Sequence, residues 1–580
     1  MIRTASSEPL TPAERQVCLQ SIHWGQFALA LSAAFLLTGL IGVWAAYDQA
    51  MAWRCLGMIA AGLGLALGTA WAGWRAGRQG LGVIALGCAL LSGALGAYFL
   101  LSYDWAAHGP GKLAVLQAAG LWVQAHRPAL PVPEDIHPNI AAGGLALVLP
   151  LGMAGVIWAC SHSHWRAAGA GALVEFLGLV GLALTASRGG WLGLVVGVLI
   201  ATYLEWRVIG VGPTRLCLPG DLLLVGTLLA SLAIFAAVLA GPEPAGWLDS
   251  LGAGDPAIRH AQLWRNAVVL VGDYPFTGSG LRSTTMIFSS YVLLLHVPFI
   301  SNHVHNLFLQ IALEHGLPGL AAFLGLVTLA CSGLARAYRQ RRRFDALRWG
   351  AATAMITLLV HGMFEAGNYN SRVVFIGFLP LGFALGLAPL RQVVNPRRVR
   401  WASLAGSLLA MLILAGLLLP GSRAAFLANL GAVAQARAEL GAYRWPDWPM
   451  QDALRRSGQV ELAPALARYQ AALALDPTNP TANRRMGQMA LSWGDYPAAR
   501  VYLEAAYAAA PSQRPTRQLL GECYAVAGEL QAAAALWRGV DTSLGQLALR
   551  QAWYEWIGEP QHAAWVAQAA QMAARPMTHP

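Results

Sequence analysis

Ser301-Asn302-His303-Val304-His305-Asn306-Leu307-Phe308-Leu309-Gln310-Ile311-Ala312-Leu313-Glu314-His315-Gly316-Leu317-Pro318-Gly319 is the stretch that decides how the chain is read. Its opening residues are polar apart from Val304, and they run directly into an apolar helix expected from Leu307 to about Leu334. A helix of that length crosses the hydrocarbon core of a bilayer, so both imidazoles are expected at a membrane–water boundary. Imidazole placed there can face water and exchange protons near neutral pH.

The surrounding composition is that of a polytopic membrane protein. Of 580 residues 56% are hydrophobic and 12% charged, about half the charged share of a soluble globular chain, and mean hydropathy is +0.49. Apolar runs of roughly 17 to 25 residues mark spans at 24–46, 55–71, 82–101, 140–160, 167–186, 191–203, 222–240, 307–334, 351–364, 373–390 and 402–419. The fold class expected is therefore all-α: a transmembrane bundle of about 11 spans followed by a helical-repeat domain. The divisions are 1–134 (three spans and an outer loop), 135–421 (the region with the polar motifs, including the outer loop 241–306) and 422–580 (the repeats).

Net charge is +11, and because Lys112 is the only lysine nearly all of the positive charge is arginine. In a membrane protein such charge is a signal of topology rather than of nucleic-acid binding. With a cytoplasmic N-terminus every short inner loop is basic: Arg75 and Arg78, Arg166, Arg207 and Arg215, Arg336 to Arg348, Arg391 to Arg400. The outer segments are then 102–139, 187–190, 241–306, 365–372 and everything beyond about 420. The odd span count places the repeats outside, and one span more or fewer would reverse that. The first apolar run has no small-residue cleavage pattern and is read as a retained span. Cys18, Cys55, Cys88, Cys160, Cys217, Cys331 and Cys523 are scattered singly, without zinc or redox spacing, and are given packing roles.

The first outer loop holds an amphipathic stretch, Leu113 to Val123, expected to lie in the interface. Beyond the last span a 34-residue period pairs Ala472 with Ala506, Pro477 with Pro511, Gly487 with Gly521, Gly494 with Gly528, Asp495 with Glu529 and Ala498 with Ala532. That is the tetratricopeptide pattern of stacked helix pairs.

The candidate chemistry lies at the outer ends of spans. Arg188, in Ser187-Arg188-Gly189-Gly190-Trp191, occupies a tight turn whose glycines leave room for a bulky anion. A guanidinium so close to hydrocarbon costs about 2.5–3.5 kcal/mol at a helix centre unless paired or solvated, although a snorkelling anchor is the plainer alternative. Arg259 and Arg265 lie on a helix expected over 258–271. Six residues advance a helix about 600°, so the two do not share a face. His303 and His305 flank Val304, and structural histidines are the commoner kind; the neighbouring asparagines and the boundary position favour function for His305. His361 and Glu365, four apart, share a helix face and are expected to pair or to orient a catalytic group. Arg282 and Asn139 complete the secondary candidates. The Gly278-Ser279-Gly280 break is expected where backbone approaches a ligand.

These motifs, in this order, resemble the O-antigen ligase and O-antigen polymerase family, which includes bacterial protein O-oligosaccharyltransferases. The elements that carry the resemblance are the Ser-Arg-Gly-Gly-Trp turn and Arg259-x4-Trp264 with Pro275 and Gly278-x-Gly280. With them stand His303-x-His305-Asn306 leading to Glu314-x-Gly316-x-x-Gly319, His137-Pro138-Asn139, and His361-x3-Glu365. The resemblance covers about residues 135 to 390. It implies a GT-C-like glycosyltransferase of the bacterial inner membrane, inverting, without cofactor or metal. Such an enzyme moves a glycan from an undecaprenyl-diphosphate carrier to an acceptor hydroxyl on a glycan, lipid or protein at the outer face. His305 would then be the base, and Arg188 and Arg259 would hold the diphosphate. The repeats would offer a surface to protein partners. A transporter of lipid-linked glycans with a repeat scaffold is the competing class. It would need polar groups within spans, where only Glu175 clearly falls.

Overall fold

In lipid a spanning segment must satisfy its own backbone, and helices do so. The computed structural model describes residues 12–107, 114–128, 135–209, 255–295, 303–340, 343–369, 371–388, 416, 418–443 and 450–575, with the helical backbone alone for 12–24, 209 and 255–260. Among the described residues every regular element is helical. The membrane region holds α1 (Pro12–Ala45), α2 (Gln49–Ser102), α3 (Ala114–His126), α4 (Pro138–Ser161), α5 (Trp165–Leu184) and α6 (Arg188–Ile209). It continues with α7 (Asp255–Asp273), α8 (Thr284–Phe288), α9 (Leu307–Gln340), α10 (Ala346–Gly362) and α11 (Leu379–Gly386). Beyond it come α12 (Pro420–Leu440), α13 (Gln451–Ser457), α14 (Ala463–Leu475), α15 (Pro480–Trp493), α16 (Tyr496–Ala509), α17 (Arg514–Val526), α18 (Leu530–Trp537), α19 (Gln546–Trp556) and α20 (Pro560–Ala574).

Six of these, α1, α2, α4, α5, α6 and α9, are long and apolar enough to cross a membrane. The expected span 222–240 lies outside the described residues, as does nearly all of 402–419. As a straight rod α2, with 54 residues, would reach about 80 Å, more than twice the hydrocarbon thickness. It folds back at Gly77 (φ 58°, ψ −138°). A Cβ on Gly80 would sit 2.7 Å from the carbonyl oxygen of Ala72, although eight helical residues rise about 12 Å. The second and third expected spans are thus limbs of one hairpin.

Small residues let the second limb meet α4 and α5 closely, while Gly62 and Gly73 of the first limb meet Phe378 and Gly386. A Cβ on Gly96 would lie 2.9 Å from Gly178 Cα, and one on Gly155 2.4 Å from the Ala85 carbonyl carbon. Such backbone proximity is how helices associate where lipid removes the hydrophobic drive.

The bundle has two chemically different ends. At one, Arg348 donates through Nε and Nη2 to both Glu205 oxygens at 2.6 Å, and Arg78 pairs with Asp345. His361 lies at the other end of α10, thirteen residues and about 20 Å away. Because α6 runs antiparallel to α10, with Gly193 against His361 and Gly197 against Thr357, Arg188 lies at the His361 end.

In the C-terminal region α15 and α16 recur 34 residues later as α17 and α18. Gly487 and Gly521 admit Leu503 and Trp537 at equivalent places, where added Cβ atoms would come within 2.6 and 2.4 Å. This region does not stand apart from the segment that follows α7. Residues 273–294 are packed into it, and Leu294 shares a core with Ala490, Leu491, Leu519 and Leu520.

Candidate functional site

The loop before α9 is over-determined. Asn306 caps the helix, its Oδ1 accepting from Leu309 N at 3.0 Å, and its Nδ2 donates to the Met363 carbonyl at 3.1 Å. Val304 N donates to Gln310 Oε1 at 3.1 Å, and Val304 O accepts from Trp264 Nε1 at 3.1 Å. Between these restraints His305 is held at φ 49°, a left-handed conformation that costs a non-glycine residue about 1–2 kcal/mol. Strain retained in this way is a mark of functional positions.

What the constrained loop presents is two imidazoles on one carboxylate. His303 Nε2 pairs with Glu365 Oε1, and His305 Nδ1 lies 3.4 Å from Oε2. Glu365 Oε1 also accepts the backbone N–H groups of Ala366 (2.9 Å) and Gly367 (2.8 Å). Burial alone would raise the Glu365 carboxyl. The hydrogen bonds and charges of His303 and His305 overcome that and hold it well below the usual carboxylate range. The expected side-chain pair of His361 with Glu365 is therefore replaced: the helix ends at Gly362, and the turn swings the carboxylate toward the loop.

His361 remains close by, buried against Gly143, Gly189 and Gly193. Gly189 brings the Arg188 turn into the same neighbourhood, with Arg188 exposed at the head of α6 and Ala186 at φ 49° before it. Asn139 stands on the first turn of α4. Beside it, Ile140 abuts Gly367, and Asn368 donates to Ile140 O (2.8 Å) and accepts from Gly144 N (3.0 Å) with its amide turned to satisfy both. His361 and Glu365 border a small apolar cavity, about 40 Å³, with Leu147, Leu307 and Phe323.

The helix expected around Arg259 is α7, which docks on the histidine loop through Trp264; Arg265 follows on the next position. The side chain of Arg259 lies outside the described residues. Arg282 is placed elsewhere. It takes φ 61°, and its charge acts on the buried Glu314 and on Tyr47 and Cys55. The Gly278-Ser279-Gly280 break meets backbone rather than offering a ligand surface. Gly278 (φ 69°) abuts Glu314, Gly280 abuts Ala46, and Ser279 N donates to Leu313 O at 2.6 Å.

The sequence reading, which expects no metal, does not contain the donor set that folding assembles. The ligand atoms of His303, His305 and Glu365 lie within 4.8 Å of one another, an arrangement that could hold a divalent cation. It also did not connect Glu365 with residues sixty positions earlier. The His-x-His spacing was the one available signal.

Fold and site together define an all-helical membrane protein with a histidine–carboxylate array and an arginine turn at one end of its bundle. Residues 172–324, which carry Arg188, α7, both loop histidines and the Glu314-x-Gly316-x-x-Gly319 segment, match the model of the O-antigen ligase family. No curated protein matches the chain. The protein is thus a membrane protein with a glycan-transfer function of the ligase or polymerase type, which works between a lipid-linked glycan donor and an acceptor. Asn139, His361 and Glu365 lie outside the matched segment, so their membership of the site rests on geometry.

Proposed function

We propose that this protein is an inverting glycosyltransferase that moves a glycan from an undecaprenyl-diphosphate carrier to an acceptor hydroxyl at the outer face of the bacterial inner membrane. The single observation that carries the reading is the pairing of strained His305 with the Glu365 carboxylate, close to the Arg188 turn. His305 takes the acceptor proton as the oxygen attacks the anomeric carbon, and Glu365 stabilises the imidazolium that forms. Arg188 and Arg259 bind the departing diphosphate bidentately and offset its charge, so that a metal is not required. His303, Arg265 and Asn139 contact the substrates or support the array, His361 packs beneath it, and Arg282 lies to the side.

The C-terminal helix pairs form a tetratricopeptide-type array on the outer side. The acceptor is a glycan, lipid or protein hydroxyl. The test is transfer in membrane vesicles from a polyprenyl-diphosphate glycan. His305→Ala should abolish transfer with the protein still in the membrane, Arg188→Ala should weaken donor binding, and chelation should change neither. Robust transfer by His305→Ala overturns the base assignment.

A further inference from the structure

Asp273 ends α7, the helix that carries Arg259, Trp264 and Arg265. A carboxylate at a helix C-terminus opposes the macrodipole, so local helix stability does not explain it. The explanation lies 211 residues away. Arg484 Nη2 donates to both Asp273 oxygens at 2.5 Å, Arg485 Nη2 donates to Oδ2 at 3.1 Å, and Thr481 Oγ1 donates to Oδ1 at 2.8 Å. All three partners lie on the first helix of the recurring pair, α15, and Asp273, Arg484 and Arg485 are each at most 1% exposed.

The chain just beyond Asp273 is held by the same region. Asn429 Oδ1 accepts from Phe276 N (3.0 Å) and Thr277 N (3.1 Å). The Tyr291 hydroxyl donates to Glu439 (2.9 Å), and Arg514 donates to the Val292 carbonyl (2.7 Å). The Arg485 guanidinium stacks 3.8 Å from the centre of the Tyr291 ring.

Burying three charges is a poor way to gain stability, because apolar side chains of the same volume do as well or better. What such a set does provide is a fixed geometry. Nine residues before Asp273, about 13 Å up the helix, Trp264 donates to the Val304 carbonyl, the peptide between His303 and His305. The geometry points to Arg484 and Arg485 as positioning residues for the reaction. From the repeat region they fix Asp273, hence the register of α7, hence the loop that presents His305. The reaction itself rests on the function proposed above. The face of the repeats that meets 273–294 is occupied by this chain, so an acceptor or partner protein has to use another face.

The decisive variant in the full-length protein is Asp273→Leu with Arg484→Met and Arg485→Met, which removes all three charges and strands none. It is expected to fold, with wild-type abundance and protease resistance. The turnover rate at saturating donor should fall at least tenfold, and amide exchange at Val304 and Leu309 should rise about tenfold. Wild-type exchange at these amides in the folded variant overturns the inference. Should the triple variant not fold, Arg484→Lys keeps a charge but loses the double contact and is read by the same exchange, with the same criterion. Exchange needs no substrate. A wild-type protein that transfers no glycan would therefore defeat the proposed function while leaving this coupling to be judged on its own.

Discussion

Replacing Glu365 by Gln isolates the electrostatic part of the array. Gln keeps a carbonyl oxygen for the Ala366 and Gly367 amides, bonded at 2.9 and 2.8 Å in the wild type, so the turn after α10 should persist. What disappears is the negative charge 3.4 Å from His305 Nδ1. At that separation a full charge pair with an effective dielectric of about 20 is worth roughly 5 kcal/mol before desolvation. The amide dipole recovers part, and charge-assisted hydrogen bonds contribute about 1.5–3 kcal/mol net. A loss of about 2–3 kcal/mol in the transition state, where His305 carries the proton, slows transfer on the order of 30- to 150-fold. The assay is initial-rate transfer in vesicles at matched protein abundance, with donor binding measured in parallel. Donor affinity should hold, because the proposed mechanism gives the diphosphate to Arg188 and Arg259 and not to this carboxylate. A Glu365→Gln rate within about threefold of wild type would refute the role given to this carboxylate.

Two further outcomes follow from the geometry. Gly278→Ala should cost about 3 kcal/mol or more, since an added Cβ would lie 2.4 Å from the Glu314 carbonyl at a φ of 69° that L side chains resist; loss of folded protein from the membrane reports it. Asp452, which burial would raise, is held by Arg550 and Arg455 down to about 2. Its folded value is thus depressed, and its contribution, about 2–3 kcal/mol by linkage, is complete above the unfolded value near 4 and lost as pH falls through about 2. Unfolding of the full-length protein followed from pH 5 to pH 2 should show this slope, and Asp452→Asn should flatten it.

The parts of this molecule that were legible in the sequence are those whose cause is local. Apolar runs announce spans because every backbone group in lipid must be satisfied within its own segment, and α1, α4, α5, α6 and α9 fall where such runs lie. The 34-residue period was legible because each repeat solves the same packing problem, with Gly487 and Gly521 facing Leu503 and Trp537. Arg188 and His305 stand out in the sequence for a local reason as well, because a charge or an imidazole at an expected bilayer boundary needs one.

Pairing across the chain has no such local cause. Helical spacing tied Glu365 to His361, but the rule holds only while the helix continues, and α10 stops at Gly362. Three residues of turn are enough to redirect the carboxylate to His303 and His305. Asp273 carries even less signal: in sequence it is one acid in a loop, with nothing local to tie it to Arg484 and Arg485. Only the fold shows that these charges are buried together, and with that the C-terminal region ceases to be an appendage. The loop carrying the proposed base is braced from the membrane side by Asn306 on Met363 and from the repeat side by Asp273 through Trp264. A site braced from two sides in this way has its register set by both, so its precision belongs to the assembled chain and not to the 172–324 segment alone.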